Sequence, residues 1–305
     1  MRRRLGSRRG GGASAPWVRR RWTALGAVAI TAAAVTAVGA GPARAIAGGR
    51  EVLSSKEAPW MATLAVRGPE PLLQRASCGG ALVAPDRVLT AAHCVAGIPV
   101  DQLREVAEYH IGATVLSGDP GQVARIAAVS VHPRYRLIPS PTAPDDPEAG
   151  SAAFDLAVIT LDRPIHGVRP LPVASRAPAP GTPAVLYGHG LIGPPNPSDP
   201  ESVRGDVLRR GVYEVTGDSV CSAATPATVD TESVLCGQGP AVACFGDSGG
   251  PLVIRSDGRR MIAGVFSFGM ETAGKPCGTP GPNAFADTAT TYHWIRRRLG
   301  LPLPE

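Results

Sequence analysis

Residues 246–251, Gly-Asp-Ser-Gly-Gly-Pro, set a serine in a glycine-rich turn. A serine hydroxyl is a poor nucleophile until a base takes its proton. The flanking glycines let the chain bend tightly enough to aim successive N–H groups at one point, where an oxyanion would develop. A base is at hand in residues 89–95, where His93 adjoins Cys94, and a disulfide there would pin its backbone. An acid is at hand in residues 154–161, where Asp155 heads an apolar run. A carboxylate buried at the head of a strand needs partners. An imidazole N–H is one, and that pairing would fix the ring's tautomer. Each residue also has a plain structural reading: a turn, a satisfied core histidine, an Asp cap before a strand. Taken together, His93, Asp155 and Ser248 supply base, orienting acid and nucleophile.

The elements that must position these residues are short strands. Apolar runs rich in Val, Leu and Ile recur at 61–66, 81–84, 87–92, 124–131, 156–161, 183–188, 209–215, 251–254 and 261–268. Gly, Pro, Asp and Ser turns separate them. No amphipathic helix of about 10–15 residues alternates with them, which argues against a βαβ plan. Only residues 288–300 have helical length. There Tyr292, Ile295 and Leu299 share a face, and Gly300 and Pro302 stop the helix. The chain reads as all-β, sandwich or barrel, with a C-terminal helix. Residues 138–153 and 191–205 are Pro-rich and read as loop insertions rather than central strands.

Residues 1–45 carry nine arginines and no acid around an apolar run at 23–40, followed by the small-x-small site Ala43-Arg44-Ala45. This pattern predicts a signal peptide over 1–45, and hence a secreted, extracellular chain from Ile46. Arg20-Arg21-Trp22 also loosely fits a twin-arginine leader. The whole chain has 31 basic and 25 acidic residues, but without the nine of the leader it has 22 basic and a net charge of −3. No basic tract is left to bind nucleic acid, and no apolar run is left to anchor the chain in a membrane. Six cysteines in an exported chain predict three disulfides, with 15 pairings open. No CxxC or HxxxH pair occurs, so no metal site is expected.

Residues 78–94, 155–165, 246–253 and 264–269 match, in order, segments of one family. Through them the chain resembles a secreted, bacterial-type member of the chymotrypsin/trypsin-like serine proteases, over essentially all of 46–305. The resemblance implies two packed six-stranded antiparallel β-barrels with a C-terminal helix, their boundary near 165–180. The cleft would lie between the barrels, with His93 and Asp155 on the first side and Ser248 on the second. It also implies a serine endopeptidase working through an acyl-enzyme without a cofactor, on protein or peptide substrates, as a monomer open to proteinaceous inhibitors.

The resemblance assigns further residues. Ser248 matches the nucleophile, His93 the base, Asp155 its orienter, and the N–H groups of Gly246 and Ser248 the oxyanion hole. Ser267 matches a serine that bonds the orienting acid, and with Gly269 would offer backbone groups to a substrate strand. The implied disulfides are Cys78–Cys94, Cys221–Cys236 and Cys244–Cys277. The amine freed at Ile46 would fold inward and pair with Asp247, with Gly48 and Gly49 as hinge. Arg44 lies one residue too early for the usual cut after a basic residue, whereas a cut after Ala45 frees Ile46 itself. One cleavage by signal peptidase would then serve export and activation together. The pocket base falls at Val242, where trypsin-like enzymes carry an aspartate, and Ala243, Phe245 and Asn283 fall near it. The expected P1 residue is therefore uncharged and apolar rather than Arg or Lys. His189, in place of the family's tryptophan, reads as structural, and Asp145, Asp146 and Glu148 could bias the upstream substrate residues.

Two rival readings are weaker. Ser248, Asp287 and His293 follow the chain order of an α/β-hydrolase esterase, but a strand rather than a helix follows the serine. A protease-like binding protein without catalysis would lack one of the residues named, and all are present.

Overall fold

The apolar runs pair as antiparallel strands. A computed structural model describes residues 46–146, 149–193, 198, 203–225, 227–269 and 279–302; the expected signal peptide, Glu148 and Cys277 lie outside the described residues. The strands of the first half are β1 (Arg50–Glu51), β2 (Met61–Val66), β3 (Ala76–Ala84), β4 (Arg87–Thr90), β5 (Ala107–Ile111), β6 (Gln122–Val131), β7 (Arg136–Ile138), β8 (Ser151–Ala153) and β9 (Ala157–Leu161). Those of the second are β10 (Pro183–Gly188), β11 (Arg209–Thr216), β12 (Val234–Gln238), β13 (Pro251–Ser256), β14 (Arg259–Phe268) and β15 (Asn283–Asp287).

Strands β2-β3-β4-β9-β6-β5 close into one barrel. The second sheet runs β1-β11-β10-β13-β14-β15-β12, and a further β11–β12 pairing closes six of its strands into a second barrel. Closure removes the unpaired edges that open sheets expose. Leu82, Leu89, Tyr109, Ile126 and Ile159 fill the first barrel, and Leu186, Tyr213, Leu252 and Phe285 the second. Each fully buried Leu or Ile contributes about 1.5–3 kcal/mol relative to an exposed one.

Register places the chemistry. Thr90 of β4 lies opposite Ala157 of β9. His93, just beyond β4, and Asp155, just before β9, therefore emerge at the same end of the first barrel. Pro251 of β13 lies opposite Val265. Ser248, just before β13, and Ser267, near the end of β14, emerge together from the second.

Short helices at Leu72–Arg75, Val100–Val106 and Asp218–Ala224 were not expected from the sequence. At two turns or fewer they lie below the length at which hydrophobic periodicity is visible. The C-terminal helix spans Tyr292–Arg298. It buries Ile295 with Trp294, and Gly300, at φ +67°, ends it in the left-handed region. The insertion at 138–153 leaves and rejoins the barrel as the β7–β8 hairpin. The Cys78–Cys94 and Cys221–Cys236 bonds are formed as expected. Cys244 is also disulfide-bonded, its expected partner being the Cys277 already noted. Among the described residues no helix is long and apolar enough to cross a membrane.

Candidate active site

His93 sits in a single 3-10 turn (Ala92–Cys94) that directly follows β4. The Cys78–Cys94 bond ties this turn back to β3. Asp155 holds the histidine twice. The His93 backbone N–H donates to Asp155 Oδ1 at 2.8 Å, and His93 Nδ1 lies 2.7 Å from Oδ2. Ser267 Oγ, from the second barrel, donates to the same Oδ2 at 2.5 Å. Asp155 is 1% exposed. Burial alone would raise its pKa, but the His93 charge and the bonds from His93 and Ser267 hold it below the ordinary carboxylate value. Burial works against the His93 imidazolium, yet the Asp155 charge and hydrogen bond outweigh it and hold His93 above 6.5. With Nδ1 engaged, Nε2 is the nitrogen left to exchange a proton.

The Ser248 turn depends on glycine. Gly246 and Gly249 have φ of +89° and +80°, where only glycine sits without strain. A Cβ on Gly249 would fall 2.3 Å from both Gly79 O and Thr90 Oγ1. The Gly79 N–H donates to Ser248 O at 2.7 Å, so the first barrel braces the Ser248 backbone. Among the described residues, no acceptor takes the N–H of Gly246 or of Ser248. Ser248 and His93 line one cleft of about 360 Å³, whose walls include Leu137, Phe245, Phe268 and Gly269. No hydrogen bond joins Ser248 Oγ to His93 among the described residues. Such bonds are often loose until substrate excludes water. Cys78 and Cys94 lie with His93 inside a 4.8 Å group, but their sulfurs are joined to each other and offer no thiolate.

Asp247 is fully buried behind this turn. It accepts the Gly190 N–H at 2.8 Å and the Cys244 N–H at 3.0 Å. Burial nevertheless pushes its pKa up to about 7. A Cβ on Gly188 would lie 2.0 Å from Asp247 Oδ1, and one on Gly190 2.4 Å from its Cγ. The two glycines around His189 are therefore the cradle of Asp247, a role that sequence reading missed. The signal was the Gly-x-Gly spacing itself. His189 does not line the cleft. Burial pushes its pKa down to about 4, and the neutral ring fills space.

Ile46 is wholly buried. Ala47 bridges to Val242, whose N–H donates to Ala47 O at 2.9 Å, and Gly48 turns the chain at φ +80°. Ile46 packs onto Gly211, where a Cβ would meet its Cγ2 at 2.6 Å. Of the residues expected in the substrate pocket, Phe245, Ser267 and Gly269 line the cleft. Val242, Ala243 and Asn283 lie buried together away from that lining. There Asn283 Oδ1 accepts the Tyr213 hydroxyl at 2.6 Å and the Ala243 N–H at 3.2 Å. Tyr213 is a further residue that sequence reading did not single out.

Comparison with known proteins agrees with this fold. A family model described as Trypsin matches residues 46–295. A trypsin of Saccharopolyspora erythraea is 31% identical over 228 residues, covering 73% of this chain and 86% of that protein. Human kallikrein-14 is 31% identical over 260 residues, covering 83% and 84%. The solved structure of mouse neuropsin, a serine protease, superposes with a TM-score of 0.64 at 28% identity, covering 82% of this chain and 98% of its own. Fold, site geometry and the matched span together assign the chain to the trypsin family of serine endopeptidases.

Proposed function

We propose that the chain is an exported endopeptidase that cleaves protein substrates after uncharged, apolar residues, using His93, Asp155 and Ser248. The observation that carries this reading is the 2.7 Å contact of His93 Nδ1 with a buried Asp155, beside Ser248 in one cleft. Ser248 Oγ attacks the scissile carbonyl while His93 Nε2 takes its proton. The oxyanion forms against the N–H groups of Gly246 and Ser248. His93 then returns the proton to the leaving amine, which departs and leaves an acyl-enzyme. Water attacks that ester by the same route in reverse, freeing the acid and restoring Ser248.

Specificity follows from what the pocket region lacks. By the family resemblance Val242, buried just outside the cleft lining, takes the place of the carboxylate that would pair with Lys or Arg, and an unpaired buried cation is costly. The cleft wall is aromatic and aliphatic, with Phe245, Phe266 and Phe268. Activation rests on Asp247. Its carboxylate is buried beside two neutral donors, and an amine freed at Ile46 would supply the missing cation. The family match beginning at residue 46 supports that start. Export and activation would then share one cut after Ala45, and the mature chain would act as a secreted monomer.

The test is hydrolysis of a peptide series varied only at P1, by a chain that begins at Ile46. Phe, Leu, Met or Ala peptides should exceed the Arg and Lys peptides in kcat/KM, and Ser248→Ala should abolish turnover. Faster cleavage after Arg would overturn the specificity.

A further inference from the structure

Asp155 is carried on a strained bend. Phe154 has φ of +50°, a left-handed conformation that a bulky residue adopts only under constraint. The Leu156 N–H closes back on Phe154 O at 2.7 Å, so Asp155 is the middle residue of a three-residue turn. A conformation of this kind is strained and persists only where its surroundings over-determine it.

The surroundings come from both barrels. The Phe154 N–H donates to Ser233 Oγ at 2.9 Å, and the Ser233 hydroxyl donates in turn to Asp230 Oδ2 at 2.6 Å. Ser233 is 1% exposed and directly precedes β12 of the second barrel. The Phe154 ring stacks with His132 at 5.0 Å, and the Arg134 guanidinium lies 3.9 Å from its centroid. Glu232 holds Arg134 through two bonds of 2.6 Å, and Asp230 lies 3.6 Å from Arg136. Ser151 Oγ donates to Thr228 O on the same side. Residues 228–233, just before β12, thus grip Arg134, Arg136, Ser151 and Phe154, the last of them immediately before the orienting acid. The exposed ion pairs add little by themselves. The buried bond from Phe154 to Ser233 is the one whose loss strands a donor.

We propose that Ser233 is a positioning residue for catalysis, which fixes the Phe154 bend from the second barrel and so holds Asp155 at the bonding distances that orient His93. This rests on the triad proposed above. Without the hydroxyl, the Phe154 N–H has no acceptor and the bend can relax toward negative φ. Asp155 would shift away from both His93 and Ser267. Ser233 does not line the cleft, so substrate binding should be untouched. A misplacement of about 1 Å in a group that orients the reacting atoms costs on the order of 100-fold in rate.

The experiment compares wild type, Ser233→Ala, Ser233→Thr and Asp155→Asn, with active-site concentration titrated by a fluorophosphonate. Ser233→Ala should lower kcat about 10- to 100-fold at unchanged KM. Its acid limb in kcat/KM should move to lower pH, because a looser Asp155 supports the His93 imidazolium less. The other groups near this pair are Ser248, Ser267 and Tyr135. Burial and the Asp155 charge push Tyr135 up to about 12, so it stays neutral on that limb. Around the bend, His132, whose pKa burial and the Arg134 charge hold below 6.5, Arg134, Arg136, Asp230 and Glu232 are common to wild type and variant. Ser233→Thr keeps the hydroxyl and should restore both readouts. Unchanged kcat and pH limb in Ser233→Ala, beside a collapse in Asp155→Asn, would overturn the positioning role alone. A loss confined to the titratable fraction, with kcat per active site intact, would also overturn it. Undiminished activity in Asp155→Asn would instead overturn the triad.

Discussion

Gly190 donates its backbone N–H to Asp247 Oδ1 at 2.8 Å, with the carboxylate pressed against the glycine where a side chain would stand. The carboxylate's amide donors, Gly190 and Cys244, carry no charge, and burial outweighs them, pushing the acid's pKa up to about 7 while Ile46 remains in peptide linkage. In the uncut chain the folded state binds a proton that the unfolded state has released above about pH 4, so stability falls as pH rises from about 4 to 7. An uncut chain should therefore have a higher Tm at pH 5 than at pH 8, and Asp247→Asn should raise its Tm at pH 8. In a chain starting at Ile46, the same substitution should lower activity at least tenfold. Thermal unfolding of both forms across that pH range, with turnover of the cut form, tests this. A Tm of the uncut Asp247→Asn chain no higher than its parent would remove the uncompensated charge from the account.

The glycine cradle gives a second outcome. A Cβ on Gly190 falls 2.4 Å from Asp247 Cγ, and a methyl group cannot be placed there without moving the acid or the turn. Gly190→Ala should destabilise the fold by about 1–3 kcal/mol and reduce kcat, because the Ser248 turn follows Asp247. Gly181→Ala is a control for a glycine at positive φ with open space around it. It should cost stability and leave kcat per active site unchanged. Denaturant unfolding with steady-state kinetics on both variants decides the point, and equal kcat losses would contradict it.

Activity and stability should run in opposite directions with pH at His93. Its folded pKa lies above 6.5 because of Asp155. The stability contributed by that raised pKa is fully present below 6.5, and is lost as pH rises through the folded value. Turnover needs the neutral ring, so kcat/KM rises over the same interval. Asp155, with its lowered pKa, contributes stability above the ordinary carboxylate value that disappears as pH falls through the folded one. Asp155→Asn should cost roughly 10⁴ in kcat and shift the acid limb downward. A limb that stays in place in that variant would contradict the pairing.

The Cys78–Cys94 bond spans 16 residues and ends beside His93. Replacing both cysteines by alanine should cost about 3 kcal/mol and lower kcat further than the Cys221–Cys236 double variant. The second bond joins Asp218–Ala224 to β12 and does not include the His93 turn. Equal effects on kcat would show that the first bond has no part in placing the histidine.

Most barrel strands were legible because they are short apolar runs bounded by turn residues, as at Met61–Val66 and Pro183–Gly188, whereas β5, β12 and β15 were not, since residues such as Glu108, His110, Gln238 and Asn283 interrupt their apolar pattern. His93, Asp155 and Ser248 were legible for another reason: their chemistry restricts residue type and their neighbours hold them in sequence order. What escaped notice is made by distant segments meeting. Ser233 is 79 residues from Phe154 and is one serine among many until the barrels close. Gly188 and Gly190 read as an ordinary turn until Asp247, 57 residues beyond Gly190, occupies their space. Tyr213 and Asn283 are 70 residues apart and meet only across the second barrel. The short helices carry too few turns for their pattern to stand out.

The most direct test of the central claim is covalent labelling of the chain beginning at Ile46 with a fluorophosphonate, followed by mass mapping of the modified peptide. The account predicts one adduct per chain, on Ser248, absent in Ser248→Ala and formed far more slowly in His93→Ala. An adduct on another serine, or a folded chain starting at Ile46 that takes no label, would contradict it.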